Sequence, residues 1–316
     1  MNEMHVTAIM VLAFFGDAFL GDPPNRFHPV VWMGNAISLV RKSAPLNGNA
    51  VRFLLGLALV IGGMVVVGYL GWAVQRACQL CPFVLNVVIQ AVVLKCTFSI
   101  RSLAKASRSV CESLRMNRID EARHHVAYNL VSRDVSNLDA SKLSAATIES
   151  VSENTSDSVI APLFYFVLGG LPGALVYRFI NTCDAMVGYR TPELEWFGKA
   201  AARTDDLLNI IPSRITAVLI LVLGGLRTMR LREGVAIWWR DRRLTASPNA
   251  GHPMSAAAGV LGVVLEKEGH YVLGADQSKP TFQDIERAIW LLWATSIAGG
   301  LLFLAGTTFY WRWAAS

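Results

Sequence analysis

Charge is scarce in this sequence. Asp, Glu, Lys and Arg make up 16% of its 316 residues, where a soluble domain carries about 25%. That shortage, beside 53% hydrophobic residues and a mean hydropathy of +0.41, argues against an ordinary soluble globule. The apolar residues come in blocks, which reads as membrane spans rather than an oversized core. Nucleotide-cradling motifs are missing too. There is no G-x-x-x-x-G-K-[ST] and no G-x-G-x-x-G after a strand, which disfavours P-loop and dinucleotide-binding enzymes. No G-x-S-x-G elbow is present, which disfavours a serine hydrolase of that type. Of five cysteines, only Cys78 and Cys81 form a C-x-x-C. A zinc ribbon needs two such pairs, so these read as ordinary cysteines near a helix end before Pro82. Residues 4–20 are apolar but lack a basic leader and a small-residue cleavage site, so no cleavable signal is expected. The net charge of +6 is scattered, with no aromatic-interleaved basic stretch, so no nucleic-acid partner is expected. In a membrane protein such an excess belongs to cytoplasmic loops.

What is present begins with the spans. A crossing helix needs about 20 apolar residues. Residues 53–74 qualify without a charge, and residues 288–311 qualify with Trp290, Trp293, Tyr310, Trp311 and Trp313 near their ends, as interfacial belts require. Residues 83–98 are shorter and hold Lys95, which is expected to snorkel to the headgroups. Pro212 and Arg214 interrupt 207–226, and Asp17 lies in 4–20. Residues 159–180 are long enough to span, but Leu168-Gly-Gly-Leu-Pro-Gly173 breaks them in the middle. A full span and a re-entrant hairpin are both open there. The short, nearly uncharged loop 78–82 is placed outside, and the loops rich in Lys and Arg in the cytoplasm. The hairpin makes this orientation consistent.

The expected architecture is therefore all-α. It is a polytopic membrane helical bundle in one integral-membrane domain over 1–316. A cytoplasmic helical insert covers 99–157, a cytoplasmic loop region covers 227–287, and a re-entrant hairpin lies near 159–180. In the insert, Ile100, Leu103, Val110 and Leu114 follow a helical period. Met116-Asn-Arg118 reads as a turn, Asp120 as the N-cap of a second helix and Asp139 as that of a third.

Four groups of residues can carry chemistry. Glu149, Glu153 and Asp157 recur every fourth position, so a helix puts them within about 80° of one face, beside Asn154. Like charges one turn apart repel. A metal ion, an amine or an arginine should offset them, unless this is simply a solvated helix end. Arg178, Asn181 and Asp184 are three apart and can project together. Asp205 and Asp206 precede an apolar helix, where they serve either as caps of its positive end or as a magnesium site. Asp22 and His28, and separately Asn249 and His252, sit in turns rich in Gly and Pro.

Several of these segments resemble the CobD/CbiB family of cobalamin biosynthesis. They are Gly21-Asp22-Pro23 with His28-Pro29-Val30, residues 149–162, 169–190 including Asn181-Thr182-Cys183-Asp184-Ala185-Met186-Val187-Gly188-Tyr189-Arg190, 202–214 and 247–251, in the family's order. One departure is His252-Pro253, where a Trp-Pro pair is expected in many relatives. The resemblance implies an adenosylcobinamide-phosphate synthase. Such an enzyme is an ATP-dependent ligase joining (R)-1-amino-2-propanol, or its O-phosphate, to a propionate carboxylate of adenosylcobyric acid. It implies Mg²⁺ and ATP, a corrinoid substrate, contact with membrane lipid and with later pathway enzymes, and an active site on the cytoplasmic side of the cell membrane. On this reading Glu149, Glu153, Asp157 and Asp184 are catalytic, and Asp205, Asp206 and Glu153 hold metal. Arg178, Arg190, Arg203, Asn154, Asn181, Asn249, Asp22 and His28 bind substrate or phosphate. Two other readings stand beside it: a magnesium-dependent membrane transferase acting on a diphosphate, and a non-enzymatic sensor or transporter. A D-x-x-D-x-x-x-D helix, which would favour the former, is absent.

Overall fold

The computed structural model describes residues 3–44 and 48–315, with side chains described as far as Thr307 in the last helix. The expected aromatic belt at Tyr310, Trp311 and Trp313 lies outside the described side chains. In chain order the elements are α1 (Glu3–Leu20), a 3₁₀ turn (Asn25–Phe27), α2 (Pro29–Lys42), α3 (Asn49–Cys78) and α4 (Phe83–Lys95). Then come α5 (Arg101–Arg115), α6 (Ile119–Asn129), α7 (Ala140–Thr155), a π-helical turn (Ser156–Ile160), α8 (Ala161–Val187) and α9 (Lys199–Leu208). The chain finishes with α10 (Ile210–Thr228), α11 (Leu231–Asp241), α12 (Gly251–Leu261), the strands β1 (Leu265–Lys267) and β2 (Tyr271–Leu273), and α13 (Phe282–Ala315). Five helical stretches are long and apolar enough to cross a membrane: Glu3–Leu20, Asn49–Cys78, Ala140–Val187, Ile210–Thr228 and Phe282–Thr307. The protein is an all-α polytopic membrane bundle, as the apolar blocks imply. Its residues form two compact units. One comprises Met1–Ser99, Ala161–Asn209 and Leu302–Ser316, and the other Ile100–Ile160 and Ile210–Leu301.

In the first unit α3 runs antiparallel to α8. Gly71 meets Pro172, Gly68 meets Val176 and Gly63 meets Phe179. Glycine is needed along this seam. A Cβ on Gly63 would stand 2.0 Å from the Phe179 ring, and one on Gly56 would stand 1.9 Å from the Phe197 carbonyl oxygen. Small residues allow such close approach between apolar helices, where dispersion replaces the hydrophobic drive.

Helix α8 reverses at Gly170, whose φ of 65° and ψ of −153° are open to glycine and not to L side chains. Tyr165 stacks on Tyr177 with ring centroids 5.2 Å apart, although a straight helix would separate them by about 18 Å. A Cβ on Gly173 would fall 2.3 Å from the Tyr165 carbonyl oxygen. Pro172, lacking an N–H, stands where a helix start has no use for one. The Leu171 N–H, an orphan of that start, donates to Gln75 Oε1 at 3.1 Å. The Gly-Gly-Leu-Pro-Gly break is thus a helical hairpin.

The expected snorkelling of Lys95 does not occur. Lys95 is buried, and its Nζ pairs with Asp17 at 3.2 Å and also with Asp22. Helices α1 and α4 pack together, which brings Asp17 of α1 against it, and Asp22 follows in the turn after α1. A lysine between two carboxylates is neutralised inside the protein and has no need of the headgroups. Helix α4 itself has 13 residues, short of a full crossing.

In the second unit Asp139 caps α7 by accepting the Lys142 N–H at 2.8 Å. The turn before α6 passes through Asn117 at φ 56°. Asp120 does not cap α6. It lies inside the first turn, behind Arg118, and pairs instead with Arg123 at 2.7 Å. The 227–287 stretch, expected as a connecting region between spans, has secondary structure of its own. It carries α11, the wholly buried α12 and a hairpin in which Leu265, Glu266 and Lys267 face Leu273, Val272 and Tyr271. Helix α12 is rich in Ala, Gly and Ser, so α11 can approach until a Cβ on Gly259 would stand 2.7 Å from the Gly234 Cα.

Candidate active site

The second arm of α8 and the last turn of α9 assemble a buried acid in an amide cradle. Arg178 donates to Asn181 Oδ1 at 3.3 Å, and Asn181 Nδ2 reaches Asp205 Oδ1 at 3.4 Å. Asn209, one turn after Asp205, donates its Nδ2 to Oδ2 at 2.9 Å, and the Tyr177 hydroxyl donates to Asn209 Oδ1 at 2.9 Å. Asp205 is 8% exposed. Burial pushes its carboxyl from 3.8 up to about 7; the charge of Asp184 adds to the rise, and the two amides oppose it. Asp184 lies directly over Gly188, where a Cβ would fall 2.0 Å from its Oδ1. Asp206 is close enough to raise the Asp205 carboxyl further. Among the described residues no Lys or Arg forms an ion pair with Asp205.

Beside this cluster is a cavity of about 170 Å³, with Arg190, Lys199, Arg203, Glu195 and Asp206 on its wall. Three cations and two acids give it a net positive lining. The sequence-expected residues Arg178, Arg190, Arg203, Asn181, Asp184, Asp205 and Asp206 therefore all belong to one unit and to two adjoining features of it. Asp22 and His28 belong to the same unit but are held otherwise. Asp22 takes Lys95 and the Ser99 hydroxyl at 3.0 Å, with His28 Nε2 at 3.9 Å, and His28 Nδ1 caps α2 through the Val30 N–H at 3.3 Å.

Glu149, Glu153, Asn154 and Asp157 lie in the second unit. Arg133, at 3.2 Å from Glu149, supplies the cation that the acidic face required. Burial, then the charges of Glu149 and Glu153, raise the Tyr271 hydroxyl far above its ordinary value, so Tyr271 is a neutral donor beside them. The face is not one uninterrupted α-helical stripe, because the π turn begins at Ser156 and alters the spacing before Asp157. Asn154 is occupied locally, donating to the Ser150 carbonyl at 2.9 Å and accepting from Ser158 at 3.1 Å. Asn249 is also in this unit, buried, and accepts from Arg214 at 2.7 Å. His252 faces Trp238 with ring centroids 5.8 Å apart. Burial, then Arg214, Arg242 and Arg243, push its imidazole down to about 4, so it is neutral.

Among the described residues no three His, Cys, Asp or Glu side chains close into a metal-ligand set. Magnesium takes one or two carboxylates and completes its shell with water and phosphate oxygens, and Asp184 with Asp206 fit that donor chemistry. Asp205, expected as a metal ligand, has both oxygens engaged by amides. Glu153 neighbours Glu149 and Tyr271 in the second unit.

Residues 10–292 match the family model described as CobD/Cbib protein. The chain belongs to the CobD/CbiB family of cobalamin biosynthesis. The cobalamin biosynthesis protein CobD of Dehalococcoides mccartyi is 41% identical over 273 residues, covering 86% of this chain and 88% of the relative. Probable cobalamin biosynthesis proteins CobD of Methanothermobacter thermautotrophicus and Methanocaldococcus jannaschii are 42% and 34% identical, covering 86% and 96% of this chain and 88% and 98% of their own. No solved structure matches the chain. The geometry of this CobD/CbiB member gives partners to residues that its sequence did not mark as belonging to a site: Lys95, Arg133, Tyr177, Asn209, Arg214 and Tyr271. Asn209 carries a signal, standing one helical turn after Asp205. The others meet partners distant in sequence, which no local pattern reveals.

Proposed function

We propose that this protein forms the amide between a propionate carboxylate of adenosylcobyric acid and (R)-1-amino-2-propanol or its O-phosphate, giving adenosylcobinamide or its phosphate. The observation that carries this reading is Asp205: a buried carboxylate held by two amides, with two further acids nearby and no cationic partner among the described residues. Such a group is relieved by an external cation or by a proton. A substrate ammonium offers both.

The amine reaches the site protonated and must lose a proton to become a nucleophile. Asp205, with its carboxyl near neutrality, is suited to accept it. The Asn181 and Asn209 amides keep the acid oriented, and Tyr177 fixes Asn209. ATP would supply the activation: its terminal phosphoryl group would pass to the corrinoid carboxylate as an acyl phosphate, the bond between its last two phosphates breaking with release of ADP. The amine lone pair then attacks the carbonyl carbon, the C–N bond forms, and the C–O bond to phosphate breaks with release of inorganic phosphate. Arg178, Arg190 and Arg203 bind phosphate oxygens, which a guanidinium matches bidentately. Magnesium, held by Asp184 and Asp206, would neutralise phosphate charge. The reading places the reaction on the cytoplasmic side of the cell membrane.

The test is complementation of a strain that lacks this step. With the gene supplied, cobyric acid should support growth, and mass spectrometry should show the amide product. With Asp205→Asn, cobinamide alone should support growth. Growth of the gene-less strain on cobyric acid, or full product from the variant, would overturn the reading.

A further inference from the structure

In the second unit a separate cavity of about 420 Å³ is lined by Arg227, Arg230 and Arg287, and among the described residues no carboxylate lines it. That volume lies within the range of small-molecule clefts, about 300–1,000 Å³. Arg227 ends α10 and stacks over Trp290 of α13, its guanidinium carbon 4.2 Å from the ring centroid. Stacking occupies the face of the guanidinium and leaves its in-plane N–H donors available. Among the described residues Arg227 has no carboxylate partner. Arg230 is anchored by Glu233 at 2.7 Å and by Gln277, yet its Nε is buried without a partner. Arg287 is anchored by Asp284 at 3.1 Å. Neither anchoring acid reaches the lining, so three guanidinium groups are held in place around a space that contains no opposing charge. The carbonyl end of α10 contributes about half a negative charge there, far less than three formal positive ones.

The location is equally specific. Arg227 closes a helix apolar enough to cross a membrane, and Trp290 stands near the start of the apolar part of another. Arg and Trp at such ends mark the interfacial layer. Val260, Leu261 and Leu291 supply an apolar wall beside the arginines.

We propose that this cavity binds a phosphate group. The ligand is either the headgroup of an anionic phospholipid or a soluble phosphate ester, and the recognising chemistry is the same: bidentate guanidinium contacts to phosphate oxygens. The site is independent of the acid–amide cluster, and so is its test.

The full chain is placed in nanodiscs of neutral phosphatidylcholine, with inorganic phosphate as the added probe, and in nanodiscs containing phosphatidylglycerol without phosphate. Thermal unfolding and native mass spectrometry are read in each. Stabilisation and lipid retention in the anionic discs identify a headgroup. Stabilisation by phosphate in neutral discs identifies a soluble ester. In either case Arg227→Gln should weaken the apparent affinity at least tenfold, and Arg227→Gln with Arg287→Gln should abolish the response. Arg232→Gln, exposed on α11 and outside the lining, should leave it intact. Because Arg227 is exposed, its single variant tests the site even if the double variant does not fold. No response in either disc, or an unchanged response in Arg227→Gln, would overturn the proposal.

Discussion

Asp17 and Asp205 are both buried aspartates on helices of the same unit, and they are treated oppositely. Asp17 faces Lys95 at 3.2 Å, which also pairs with Asp22. Asp205 receives two neutral amides and has Asp184 and Asp206 as neighbours. An acid neutralised by its own chain is finished as structure. An acid left without a cation has capacity for something that arrives. The difference separates scaffold from chemistry among residues of one type.

Breaking the internally neutralised pair should have the largest effect on stability. Lys95→Met leaves the buried Asp17 carboxylate without its lysine and is expected to lose about 3–5 kcal/mol, read by unfolding in detergent. Adding Asp17→Asn and Asp22→Asn should recover much of it. A stable Lys95→Met protein would mean that Asp17 is not held as a paired anion. Asp205→Asn should do the reverse, keeping the fold while lowering amide formation about 100-fold or more, measured as product per unit time on equal amounts of folded protein.

The acidity of Asp205 sharpens the contrast. Its folded value lies above the unfolded one, so the folded state holds the extra proton. The resulting stability is complete below 3.8 and is lost as pH rises through about 7. The unfolding midpoint should therefore fall across that window in the parent protein, and Asp205→Asn should flatten the slope. The smallest effect belongs to Tyr177→Phe. It removes the hydroxyl that donates to Asn209, should reduce stability by about 1–3 kcal/mol, and should reduce turnover only a few-fold. A loss of turnover as large as that of Asp205→Asn would place Tyr177 among the reacting groups.

The spans and the hairpin were legible because they are written locally. An apolar run is contiguous, and Gly-Gly-Leu-Pro-Gly announces a reversal within five residues. The spacing of Arg178, Asn181 and Asp184 was legible for the same reason. Lys95 was misread because its fate depends on Asp17 and Asp22, more than 70 residues away in the chain, and a lone lysine at an apolar helix end looks the same whether it snorkels or pairs. Hairpin β1–β2 was missed inside a polar stretch, although Gly269, at φ 71°, marks its turn. The acidic series Glu149, Glu153, Asp157 was found as a pattern, but its alignment assumed an α-helix where a π turn intervenes.

The interleaving of the two units bears on how the protein is made. The chain passes between them at residues 99–100, 160–161, 209–210 and 301–302. The amide cradle of Asp205 is complete only after all of the other unit's first segment has already left the ribosome. Neither unit is obtainable by cutting the gene once. Helices α1 and α4 can pair as soon as both have emerged, but the glycine seam of α3 must wait for α8, made after the whole intervening segment, so maturation here is a matter of waiting as much as of folding.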